Sequence, residues 1–76
     1  MTTTMWEVRA AEGCFDDLVG WLRAVLPDAR QTDVYASADE RLVVIATGEE
    51  PLRLPEPPAD LVRRAPHQWG FRRIEL

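Results

Sequence analysis

The chain has no lysine and no asparagine, one cysteine, one histidine, and no uninterrupted aliphatic run longer than Leu42 to Ala46. One cysteine excludes an internal disulfide, and together with one histidine it falls short of the four ligands of a usual zinc site. No cofactor is expected from these residues. A bilayer-crossing helix needs about 20 apolar residues, far more than any run here supplies. The opening MTTTM also lacks the basic and apolar regions of a secretory signal, so the expected compartment is the cytoplasm and no membrane partner is expected. Positive charge is scarce as well: nine arginines face 13 acids, for a net charge of -4 and a pI near 4.8. Binding to a phosphate backbone relies on clustered positive charge, so nucleic acid is not an expected partner. An all-arginine basic set with plentiful alanine and aspartate points to a GC-rich bacterial genome.

What the chain does have is the apolar content of one small globular domain in 76 residues. A domain of this size buries only about 60% of the surface its unfolded chain exposes, which places it near the limit for standing alone. Its clearest period lies in Cys14 to Leu26. Phe15, Leu18, Val19, Leu22, Val25 and Leu26 recur at helical spacing, with Cys14 and Trp21 widening the apolar face. Asp16 and Asp17 favour the first turn and Pro27 ends the run, so an amphipathic helix lying across a sheet is predicted.

Strands are predicted on either side of it. Met5 to Ala10 alternates, with Trp6, Val8 and Ala10 opposite Met5, Glu7 and Arg9. Glu12-Gly13 turns the chain into the helix, and Asp28 to Arg30 is a short connection out of it. Arg30 to Ser37 alternates again, Thr32, Val34 and Ala36 against Gln31, Asp33, Tyr35 and Ser37. After the polar turn Ala38-Asp39-Glu40, the stretch from Arg41 to Thr47 has the unbroken apolar run of a central strand. Gly48 to Pro58, with four prolines, reads as a semi-rigid connector. A short second helix is predicted over Ala59 to Ala65, between Pro58 and Pro66, and a last strand near 69 to 75.

The resulting order, strand-helix-strand-strand-helix-strand, predicts an α+β domain of the ferredoxin-like βαββαβ type: a four-stranded antiparallel sheet with both helices on one face. The other face then lacks a cover. Trp6, Val8, Leu42 to Ala46, Tyr35 and Phe71 supply more apolar side chains than one helix-covered face can use, so a homodimer through the open sheet face is expected.

WEVRA at residues 6 to 10, DVYAS at 33 to 37, RLVVIATGE at 41 to 49 and PPADLVRRAPHQWGF at 57 to 71, in this order of elements, resemble small actinobacterial members of the antibiotic biosynthesis monooxygenase superfamily. The resemblance spans nearly the whole chain and implies the dimeric ferredoxin-like α/β barrel. It also implies an activity, since characterised members oxidise polyketide-derived aromatic rings without metal or flavin, while relatives degrade haem or isomerise small molecules. The chain departs from the pattern in its shorter, proline-rich second helix and in having no asparagine, the residue that supplies a side-chain amide in the characterised oxygenases.

Candidate ligand-binding residues are Trp6, Tyr35, His67, Trp69 and Arg73. His67, Trp69 and Phe71 alternate onto one side and suit the wall of a pocket for a flat aromatic ligand; equally, they suit a core or a dimer interface. Tyr35 has a hydroxyl able to orient a phenol. Arg72 and Arg73, with Arg63 and Arg64, offer guanidinium groups to an enolate or carboxylate, or else serve as surface ion pairs. Cys14 reads as a small buried hydrophobe and Asp16 and Asp17 as acids complementing the helix dipole. Two functional classes follow. One is a cofactor-independent oxygenase with a pocket between helix and sheet lined by Trp6, Tyr35, His67 and Trp69; the other is a non-catalytic dimeric binding or accessory domain, whose helix-to-sheet space is filled by side chains.

Overall fold

The computed structural model describes residues 1–27 and 31–76. The connection expected at Asp28 to Arg30 lies outside them. The elements are β1 (Thr2–Arg9), α1 (Phe15–Val25), β2 (Gln31–Ala36), β3 (Arg41–Gly48), a 3-10 turn (Ala59–Leu61) and β4 (His67–Phe71). The strands form one sheet in the order β2-β3-β1-β4, every neighbouring pair antiparallel. This is the strand order of a ferredoxin-like fold, with the predicted central strand in the interior of the sheet.

Helix α1 begins without a side-chain cap. Cys14 occupies the cap position, and its thiol lies 3.6 Å from the carbonyl oxygens of Glu12 and Asp60. Asp16 and Asp17 stand in the first turn, where unpaired N–H groups favour negative charge. At the far end the Leu26 amide still donates to Leu22 O at 3.0 Å, but Leu26 itself is extended (ψ 131°), as a residue before proline tends to be. Leu18 and Leu22 are fully buried, and Phe15, Val19, Trp21, Val25 and Leu26 flank them.

Under the helix the sheet presents alternate residues of its two central strands. Thr4, Trp6, Val8 and Ala10 from β1 and its end, with Leu42, Val44 and Ala46 from β3, are buried. The Trp6 ring lies 6.2 Å from that of Trp21, tilted by 31°. Val34 of β2 points to the same side, opposite Val44, yet is 45% exposed. An 11-residue helix covers the central strands and leaves the outer one open.

The expected second helix is absent: among the described residues one α-helix, not two, lies on this face. Only Ala59–Leu61 turns, as a 3-10 helix; Val62 is extended (φ -127°, ψ 152°) and bridges Ala10. A seven-residue window between prolines is too short to be a stable helix on its own. The free edge at the end of β1 offers better bonds: the Ala11 amide donates to Leu61 O at 2.9 Å and the Arg63 amide to Arg9 O at 3.1 Å.

The cover that a second helix would provide comes instead from the proline-rich segment. Leu52 and Pro57 are buried, and Leu54 packs against the core. The Leu52 amide donates to Thr4 Oγ1 at 3.0 Å, and Leu52 O accepts from Gln68 Nε2 at 2.8 Å. This segment is therefore part of the core, not the plain connector its prolines suggest. The last strand runs over 67–71, two residues earlier than expected at its start and ending before Ile74 and Leu76, which are exposed.

Candidate functional site: the uncovered sheet face

The strand registers place every side chain of the second sheet face. One row across the sheet is Gln31, Thr47, Thr3 and Phe71; the next is Asp33, Ile45, Met5 and Trp69; the third is Tyr35, Val43, Glu7 and His67. Arg41 and Arg9 form a fourth, charged row at one end. The middle of this face is apolar: Met5, Val43 and Ile45 on the central strands, flanked by Tyr35, Trp69 and Phe71, which are 55%, 41% and 51% exposed. Nothing among the described residues covers it. A solvated antiparallel face ordinarily alternates to polar side chains, and a contiguous apolar patch ordinarily marks an interface.

The predicted binding residues divide between the two faces. Tyr35, His67 and Trp69 lie on the uncovered face, with the His67 and Trp69 rings edge-on at 5.7 Å. Trp6 is buried beneath α1 on the opposite face, against Trp21. These four side chains therefore do not line one pocket. Tyr35 and His67 occupy the two outer strands of a single row, with Val43 and Glu7 between them. Arg73 is exposed beyond the end of β4, with no hydrogen bond or ion pair among the described residues. The space between α1 and the sheet is occupied by Trp6, Leu18, Trp21, Leu22, Leu42 and Val44.

The charged end of the face is built by the chain's return from the 3-10 turn. Val62 and Arg63 take the lane beside Ala10 and Arg9 that β4 occupies lower down, so Arg63 and Arg64 come to lie near Arg9 and Arg41. A shallow cleft of about 160 Å³ opens there, between these arginines, Glu7 and His67. Arg9 pairs with Asp39 at 2.6 Å, and Arg41 reaches Asp39 at 3.5 Å and Glu7 at 3.7 Å. The Ser37 hydroxyl, which donates to Asp39, holds the Asp39 carboxyl below the usual carboxylate range, assisted by Arg41 and Arg9.

Arg63 and Arg64 were visible in the sequence as guanidinium candidates; Arg9 and Arg41 were not. They stand 32 positions apart in the chain and become neighbours only through the β1–β3 register. Among the described residues no group of three or more His, Cys, Asp or Glu side chains is placed to hold a metal ion, and no helix is long and apolar enough to cross a membrane.

No family model, no curated protein and no solved structure matches the chain.

Proposed function

We propose that the chain is a non-catalytic homodimeric module, of a binding or accessory kind, in which two copies join sheet to sheet. The observation that carries this reading is the uncovered face, where Met5, Val43, Ile45, Tyr35, Trp69 and Phe71 form one patch. A standard interface takes about 800 Å² from each partner, roughly a seventh of the 5583 Å² this chain exposes. A face four strands wide suits a contact of that size, and a second copy offers an identical apolar patch in a two-fold, self-complementary contact. Aromatic residues and methionine are the types enriched in interface cores; of the charged side chains on this face, Asp33 stands on the outer strand β2, and Glu7, Arg9 and Arg41 lie toward one end.

The absence of a reactive role is supported by the opposite face. An oxygenase acting on an aromatic ring needs an enclosed, largely apolar cavity with convergent polar groups. Trp6, Trp21 and the leucines of α1 take up that space, and the histidine and tyrosine expected beside the substrate point away from it. Oxygen uptake in the presence of dihydroxyanthracene-type and naphthol-type compounds tests this. The expected result is the same rate with and without protein. Protein-dependent uptake that Trp69→Phe abolishes would instead favour the oxygenase reading.

A further inference from the structure

In a chain with a net charge of -4, four of the nine arginines meet around one cleft. Arg9 and Arg41 are direct cross-strand partners, and like charges in that relation destabilise a sheet. Asp39, bonded to both, and Glu7, beside Arg41, offset part of this repulsion. Arg63 is held in place by two contacts: its Nε donates to Ala10 O at 3.2 Å and its amide to Arg9 O. Arg64 makes no hydrogen bond or ion pair among the described residues. Four guanidinium groups against two carboxylates leave two positive charges in excess around the cleft, with the His67 imidazole on its wall.

We propose that this cleft binds a compact dianion, either a phosphate group or two closely spaced carboxylates, carried by a small molecule. A dianion matches the local excess of two charges, which a single carboxylate leaves half uncompensated. Guanidinium forks are the donors best suited to planar, two-point recognition of such oxygens. At about 160 Å³ the cleft is well below the roughly 300–1,000 Å³ of sites that enclose drug-sized ligands, so it accommodates the charged group and leaves the remainder of the ligand outside. The acidic balance of the chain as a whole opposes long polyanions without opposing a single small one held at close range. The cleft lies at the charged end of the uncovered face and borders the apolar patch, since its Glu7 and His67 share a row with Val43 and Tyr35.

The test is an NMR titration of the intact chain at constant ionic strength, in three arms: inorganic phosphate, malonate and acetate. Saturable shifts are expected at the amides of Arg63, Arg64, Ala65 and His67 and at the arginine Nε–H groups, with millimolar midpoints for phosphate or malonate, and the arm that saturates identifies the source of the charge. Acetate should shift the same signals without saturating. Arg64→Ala, which removes a side chain with no partner among the described residues, should weaken binding by about tenfold, the scale of a lost charge-assisted bond, while leaving the melting temperature unchanged. Arg41→Gln should weaken it also. Linear, non-saturating shifts in all three arms, or saturation unaffected by both substitutions, would overturn the proposal.

Discussion

Thr4 and Leu52 lie 48 positions apart and are joined in the core, where the Leu52 amide donates to Thr4 Oγ1 at 3.0 Å and both residues are fully buried. With Gln68 Nε2 on the Leu52 carbonyl, both backbone polar groups of Leu52 are satisfied by side chains of the sheet. This is how an extended, proline-bearing segment replaces a helix without leaving buried donors unmet. Thr4→Val keeps the shape and removes the acceptor, which should cost about 1–3 kcal/mol. Thr4→Ser should retain more of the stability. Leu52→Ala should cost about 2–5 kcal/mol if the segment belongs to the core. Urea denaturation with unchanged slope checks all three, and a loss below about 0.5 kcal/mol for Leu52→Ala, the range of a surface substitution, would return the segment to the status of a connector.

Two turns make opposite predictions. Gly13 adopts φ 76° and Glu40 adopts φ 63°, the left-handed region that costs a residue with a Cβ about 1–2 kcal/mol. A Cβ at Gly13 meets nothing within 4 Å, so Gly13→Ala carries the backbone cost alone and should lower the melting temperature. Glu40→Gly removes such a cost and should hold or raise it. Thermal melts of the two variants with the parent decide the signs.

Asp39 should titrate below the ordinary carboxylate range, because the Ser37 hydroxyl bonds its ionised form and Arg41 and Arg9 attract it. A carboxyl whose value is depressed on folding adds stability above its unfolded value and loses it as the pH falls through the folded one. The carboxyl carbon signal of Asp39, followed from neutral pH downward, reads this directly. Ser37→Ala should move the midpoint upward; an unmoved midpoint would remove the hydroxyl as the leading cause.

Most of the architecture could be read from periodicity. Helix α1 and strand β1 have periodic patterns that mark their buried faces, whereas the unbroken apolar run of β3 marks an interior strand without sorting its two faces. The stretch from Gly48 to Ala65 could not be read in the same way, because its fate is decided by partners elsewhere: Thr4 and Gln68 for Leu52, and the free edge of β1 for Leu61 to Arg63. Prolines announce an extended chain but not that Leu52 is buried. The candidate site divided similarly. Alternation correctly placed His67, Trp69 and Phe71 on one side, whereas the separation of Trp6 from Tyr35 follows from the register that pairs Val44 with Trp6 and Val34, and Val43 with Glu7 and Tyr35. The arginine cleft depends on a register between strands, which no local pattern contains.

Ile45 and Val43 point away from α1, while Val44 lies beneath it. Of these, Ile45→Asp should be the more disruptive on the open face, since it would set a second carboxylate directly opposite Asp33 within the apolar rows. Its melting temperature should fall sharply and lose any dependence on protein concentration. A variant as stable as the parent would argue that this position stays in water.

Sedimentation equilibrium of the unmodified chain at low micromolar concentration tests the sheet-to-sheet dimer most directly. The account predicts one species of twice the 8.7 kDa chain mass, with a melting temperature that rises with protein concentration because association stabilises the folded state. A folded monomer of 8.7 kDa across that range would contradict it.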